Sequence, residues 1–242
     1  MVLAAAGGVG HKELVDLAKQ HFSNVPYEYK DDTIPILPRC RFTGSEIRVR
    51  DDALPMAHVA IAVEGPGWAN PDNIPLLVAN AVIGSYDVTF GGGKNQSSKL
   101  AAIAAETQIC HSFQAFNTCY SDTGLFGFYF VSDGLHIEDT LHFAQGEWMS
   151  LCTSVTDSDV KRAKNTLRNS LVAQLDGISE DLRSAFLLHF FKEVDAKIVR
   201  EVCSKYLYDK CPAVAAVGKL LCPVEQLPDY NRIRSAMYWL RF

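Results

Sequence analysis

This chain of 242 residues lacks any run approaching the roughly 20 apolar residues that a transmembrane helix needs. It has no basic block either. Lys and Arg number 23 against 28 Asp and Glu, a net charge of −5. A mildly acidic balance of that kind argues against nucleic acid as the main partner. There is no CxxC pair. The seven cysteines, Cys40, Cys110, Cys119, Cys152, Cys203, Cys211 and Cys222, are odd in number, scattered and mostly in apolar surroundings. That pattern fits free thiols in a reducing compartment better than a disulfide framework. No GxSxG elbow is present, so an α/β-hydrolase nucleophile has no support. No HxxEH occurs around His11, His21, His58, His111, His136, His142 or His189. His136 and His142 are six apart, a poor fit to one helical face, and zinc chemistry needs two histidines and a carboxylate that converge.

What the chain does have is glycine in one telling place. Gly91, Gly92 and Gly93 interrupt a regularly patterned stretch, and the small-residue segment 97–105 follows. Glycine permits positive φ and close backbone approach, so the run marks a turn whose shape matters. A phosphate cradle is excluded: the P-loop's first glycine position holds Val88, and Lys94 is followed by Asn95 rather than Ser or Thr. The residues themselves read as a loop between packed elements.

Apolar residues make up 48%, enough for a sizeable core. The opening MVLAAAGG is too short and too unflanked for a signal segment, and reads as a buried strand whose partners lie elsewhere. Residues 11–22 form a helix with Leu14, Val15, Leu17, Ala18 and Phe22 on one face. Pro26, Pro35 and Pro38 then punctuate a linker. Strands are predicted at 41–50 and 58–64, followed by the turn Gly65, Pro66, Gly67. Asn70 is the expected cap of a helix with Pro71 in its first turn and Gly84 at its end, and with an apolar face of Ile74, Leu77, Val78, Ala81 and Val82. Strands at 107–120 and 124–132 make a hairpin. Helices are predicted at 136–151 and from Thr156 to about 175, the latter with Asp159 in a weak capping box and a stripe of Val160, Ala163, Leu167, Leu171, Val172 and Leu175. Further helices are expected at 180–191, 195–208 and 229–240, and a short strand at 213–217. Paired strands followed by runs of helices imply an α+β layer.

No candidate catalytic, metal or cofactor residue emerges. Asp31/Asp32 and Asp51/Asp52 read as solvated charges. The aromatics Phe113, Phe116, Tyr120, Phe126, Phe128, Tyr129 and Phe130 alternate along strands, as core packing or a subunit interface requires. In 178–192, Phe186, Leu187, Leu188, Phe190 and Phe191 crowd together, more than one helical face can hold.

Several long strings, among them CRFTGSEIRVRDD (40–52), AHVAIAVEGPGWANPDN (57–73), FGGGKNQSSKLAAIA (90–104), CHSFQAFNTCYSDTGLFG (110–127), EWMSLCTSVTDSDV (147–160) and QLPDYNRIRSAMYWLRF (226–242), resemble the C-terminal half of the M16 metallopeptidase-like proteins of mitochondria. Two branches of that family compete: processing-peptidase β subunits, and core proteins of the cytochrome bc1 complex. The strings VEGPGWANPDN and EQLPDYNRIRSAMYWLRF look more like the core protein 1 branch. The resemblance implies an M16 peptidase-like α+β half with a mostly antiparallel sheet flanked by helices. Residues 1–25 would be a remnant of a preceding half, 26–40 a linker, and 41–242 the C-terminal domain.

The family's zinc motif belongs to the half this chain does not resemble, so the resemblance implies no catalytic role, no metal and no cofactor. It implies other complex III subunits as partners, core protein 2 foremost, on the matrix side of the mitochondrial inner membrane, without nucleic acid or a transmembrane segment. The presequence-engaging glycine loop of processing peptidases is assigned to their α subunit, so that role is not carried onto Gly91, Gly92 and Gly93. The chain departs from the family in ISEDLRSAFLLHFFK, which replaces a longer segment after Gly177, and in an insertion of Lys219, Leu220, Leu221 and Cys222.

Overall fold

In the computed structural model, the described residues are 3, 5, 7–25, 40–89, 91, 95–175, 194–218 and 227–238. Residues 26–39 of the linker, the predicted helix 180–191, most of the glycine run and the insertion at 219–222 lie outside them.

Six strands form one sheet: β1 (Glu46–Arg50), β2 (Ala57–Gly65), β3 (Ser85–Asp87), β4 (Ser112–Cys119), β5 (Gly124–Ser132) and β6 (Ala213–Gly218). Their order is β1-β6-β2-β5-β4-β3. Only β1 against β6 is parallel, Glu46 lying beside Val214. Every other pair is antiparallel. The mostly antiparallel α+β expectation therefore holds. Seven α-helices are described: α1 (His11–Phe22), α2 (Asn73–Ile83), α3 (Lys99–Thr107), α4 (Ile137–Thr153), α5 (Asp157–Leu175), α6 (Ala196–Tyr206) and α7 (Tyr230–Ser235).

The core lies between one sheet face and the helices. Strand side chains alternate, and register places Val59, Ile61 and Val63 of β2 beside Phe130, Phe128 and Phe126 of β5 on that face. All six are buried. Phe128 stacks on Phe113 of β4 at 5.1 Å between ring centroids, and Phe126 meets Trp148 of α4 at 6.3 Å. Burying each such ring contributes about 1.5–3 kcal/mol. Phe113, Phe126, Phe128 and Phe130, four of the seven aromatics, are thus core. Tyr120 and Tyr129 are exposed instead.

Several local expectations are corrected. Asn70 acts at the entry to α2 as expected, its Oδ1 accepting from the Asp72 N–H at 3.0 Å, but the regular helix begins only at Asn73 because the Asn70 and Pro71 carbonyls first accept from Asn73 and Ile74 in tighter turns. Gly84, at φ +71°, does end it. The buried side of α2 comprises Asn73, Pro75, Leu76, Val78, Ala79, Val82 and Ile83, because the helix is packed by α5, α6 and β4 at once rather than along one stripe. Strand β3 was not foreseen; three residues carry too little alternation to register. Leu3, Ala5, Gly7 and Gly8 are exposed and in no strand, since no described strand pairs with them. Residues 41–45 precede β1 without joining it, and α7 ends at Ser235.

The capping box of α5 is confirmed. Thr156 Oγ1 accepts from the Asp159 N–H at 3.3 Å and lies 2.7 Å from Asp159 Oδ2, which also accepts from the Thr156 N–H. In the predicted stripe Val160 and Ala163 are buried, Leu167 packs against the core, and Val172 is 45% exposed. No residue of α1 is buried.

Candidate functional site

The described histidines do not converge. His11 and His21 sit on α1. His58 lies on β2, sharing a 2.6 Å hydrogen bond between Nδ1 and the Tyr129 hydroxyl. His111 Nε2 is 3.3 Å from Asp133 Oδ1, and His136 Nδ1 is 3.9 Å from Asp139 Oδ2. Among the described residues no three His, Cys, Asp or Glu side chains could hold a metal.

The described cysteines are all free thiols. Burial pushes Cys110 and Cys152 up to about 12. Cys203 is raised too, by burial and then by its neighbour Cys152. Groups so protonated at neutral pH are poor nucleophiles. Of the acid pairs, Asp52 is bound by Arg50 at 2.6 Å and Asp51 Oδ1 accepts from the Ala53 N–H, both at the surface.

Two polar clusters stand out. At the end of α6, Asp72 Oδ2 receives Lys205 Nζ at 2.5 Å and the Tyr206 hydroxyl at 3.0 Å. Hydrogen bonding to Asp72 raises Lys205, whereas burial is the main cause of the rise at Tyr206. Lys205 and Tyr206 line an open cleft of about 380 Å³ with Phe42, Glu64, Lys210 and Cys211. The second cluster joins α3, α4 and α5. Asp159, 6% exposed, accepts from Arg162 at 3.0 Å and Lys99 at 3.4 Å. Its burial alone would raise it, but the Thr156 hydrogen bonds and these two cations hold it below the usual carboxylate range. Neither cluster sets a nucleophile beside a base.

The largest feature is the sheet face turned away from the helices. Register gathers Ile47 and Val49 of β1, Ala213, Ala215 and Val217 of β6, His58, Ala60, Ala62 and Glu64 of β2, Leu125, Gly127, Tyr129 and Val131 of β5, and Gln114 and Phe116 of β4 on it. No large side chain on this face is buried. Ile47 is 60% and Val49 49% exposed. Phe116 lies across Gly127, where a side chain would collide with its ring. The sequence concealed this face because β2, AHVAIAV, is apolar on both sides, and a two-sided apolar strand reads as wholly buried. The run itself was the available signal: it offers more apolar surface than one layer of helices covers.

With that geometry in place, likeness to known proteins becomes informative. The family described as "Peptidase M16 inactive domain" matches residues 1–167, more than half of the chain. The rat protein "Cytochrome b-c1 complex subunit 1, mitochondrial" is 58% identical over 256 aligned residues, covering 100% of this chain and 52% of that protein. The bovine "Mitochondrial-processing peptidase subunit beta" is 54% identical, covering 99% and 51%. The chain thus spans about half the length of the curated relatives it matches. A chain of the solved "Complex III2 from Candida albicans, Inz-5 bound" superposes with a TM-score of 0.83 at 28% identity, over 96% of this chain and 57% of that one. A protease from Helicobacter pylori shares the fold alone, with a TM-score of 0.66 at 14% identity over 88% and 53%. On the family match, with the α+β sheet to support it, this chain belongs to the M16 peptidase family, in its inactive-domain class.

Proposed function

We propose that this chain supplies the C-terminal half of a non-catalytic core subunit of the mitochondrial ubiquinol–cytochrome c reductase, complex III, on the matrix side of the inner membrane. The observation that carries the reading is the 58% identity to subunit 1 of the b-c1 complex across the whole chain. The open sheet face supports a role in assembly rather than chemistry. It is apolar, it is built from five strands, and it has no nucleophile or metal-ligand set beside it among the described residues. Exposed contiguous apolar surface marks a docking surface. In this reading residues 1–25 finish a preceding half, 26–40 link the halves, and 41–242 form the second half. The partners are other complex III subunits, core protein 2 first among them. The domain holds no redox group and contributes no catalytic residue.

A second reading has one observation behind it, the 54% identity to a processing-peptidase β subunit. There the same half would close a chamber over an extended presequence, and the zinc would be held by the other half. The HxxEH motif occurs nowhere in these 242 residues, so the chain alone carries no such site under either reading.

The deciding experiment imports the tagged chain into mitochondria depleted of core protein 1 and follows the tag by native electrophoresis. Migration with complex III and co-isolation of core protein 2 is the expected result. Co-isolation with the processing-peptidase α subunit instead would favour the second reading. Chelator-sensitive cleavage of a presequence peptide by the purified chain alone would defeat both.

A further inference from the structure

Strand β1 forms one edge of the sheet; among the described strands only β6 adjoins it. An edge strand presents a row of backbone amides and carbonyls to other chains, and proteins often blunt such a row with charge. Two hydrogen bonds at the ends of the β1–β6 ladder fix which residues form that row. The Val214 N–H donates to the Ser45 carbonyl at 2.8 Å, and the Asp51 N–H donates to the Gly218 carbonyl at 2.9 Å. With Glu46 beside Val214, the odd-numbered residues from Ser45 to Asp51 turn their backbone groups toward β6. Glu46, Arg48 and Arg50 turn theirs outward.

The side chains divide with the same period. Ile47 and Val49 stand on the open face, 60% and 49% exposed. Glu46, Arg48 and Arg50 stand on the other. Arg48 Nε donates to Glu46 Oε1 at 2.7 Å, and its terminal nitrogens reach the Leu227 and Pro228 carbonyls. Arg50 holds Asp52 at 2.6 Å. The edge thus carries charges of both signs, in fixed order.

That order is complementary to itself. In an antiparallel pair centred on Arg48, outward residues meet outward residues, the condition for a hydrogen-bonded ladder. Glu46 of one copy then lies opposite Arg50 of the other, twice by symmetry. Ile47 lies opposite Val49, also twice, on the open face. Arg48 meets its own counterpart, but each guanidinium is already engaged by Glu46 and two carbonyls of its own chain. No other antiparallel register aligns the whole of β1.

We propose that β1 is a docking edge for a second copy of this chain, the two strands pairing antiparallel about Arg48 and joining two sheets into one. The open apolar faces become continuous, and Ile47 and Val49 shelter one another across the seam. This pairing goes beyond the complex III reading and stands without it, since only β1 is needed.

Sedimentation velocity on the full chain and its charge variants tests the pairing. The parent dimerises. Glu46→Arg and Arg50→Glu each set like charges opposite one another at both symmetric places, and each weakens the dimer at least about tenfold. An equimolar mixture of these two variants restores it, because each offers the charge that the other lacks. The double variant Glu46→Arg/Arg50→Glu dimerises as the parent does. Far-UV circular dichroism verifies that all are folded. Association through the open face alone would ignore these charges. A parent that stays monomeric, a dimer indifferent to either single variant, or a mixture no more associated than its components overturns the proposal.

Discussion

Gly127→Ala probes the open face most directly. Gly127 lies on β5 opposite Phe116 of β4 and Ala62 of β2. A Cβ there would collide with the Phe116 ring, approaching its Cε2 to 2.6 Å, and would come within 2.8 Å of the Ile61 carbonyl oxygen. The two collisions relax differently. Phe116 borders solvent on the open face, so its ring can swing away at the cost of its packing. Ile61 O belongs to β2, which is hydrogen-bonded to β5 on one side and β6 on the other. A strand so placed gives way only by distorting two ladders.

Overpacking of this kind costs about 1–3 kcal/mol. Because the backbone contact remains after the ring has moved, Gly127→Ala should lie in the upper part of that range. For a domain of this size that lowers Tm by roughly 4–12 °C, at about 2–4 °C per kcal/mol. Phe116→Ala should cost less than a fully buried phenylalanine, for which truncation costs about 3–5 kcal/mol. The double variant separates the two collisions. If the ring contributes, the double variant is more stable than the sum of the singles predicts, by about 0.5–1 kcal/mol. Thermal unfolding of the four proteins at matched concentration supplies the cycle. A Gly127→Ala protein as stable as the parent would refute the register on which the open face rests. Full rescue by Phe116→Ala would show that the Ile61 carbonyl exerts no constraint.

Three further outcomes follow from the same geometry. Thr156→Ala removes the hydroxyl that caps the Asp159 N–H, and should cost about 1 kcal/mol in urea unfolding. Asp159 has a depressed carboxyl, so its stabilising contribution is complete above its unfolded value of 3.8 and is lost as pH falls through the lower folded value; acid titration of Asp159→Asn against the parent should converge only below pH 3.8, and convergence near neutrality would contradict the assignment. In native protein Cys40, which is exposed, should be alkylated rapidly, whereas Cys110, Cys152 and Cys203 should react only after unfolding; mass spectrometry of iodoacetamide adducts reads this, and early modification of Cys152 would place it outside the core.

Much of the architecture was legible because it is written in local chemistry. The Thr156 and Asp159 box, Gly84 at the end of α2 and the turn between β4 and β5 all act over a few residues and appear where the sequence put them, although β4 starts at Ser112 rather than 107, since α3 runs on to Thr107. The errors came from non-local competition. The stripe read for α2 assumed one buried side, whereas α5, α6 and β4 enclose the helix from several. Helical periodicity reports a face only when a helix has only one.

The open sheet face was hard to read for a related reason. Ile47, Ala215, Ala60, Tyr129 and Gln114 are far apart in the chain and become neighbours only through register across five strands. No spacing rule links residues 47 and 215. What the sequence does carry is a surplus: β2 puts Ala60 and Ala62 on its second face between His58 and Glu64, β5 is nearly apolar on both, and β6 is small and apolar throughout. A sheet made of such strands has a second face to cover, and α2 and α4 pack against the first. The same reasoning explains why long-string resemblance succeeded where motif searching did not. A catalytic site is a few residues in fixed spacing, whereas a docking face is spread over many positions, each of them ordinary. Similarity sustained along the whole chain registers the family instead, and the 58% identity takes that form.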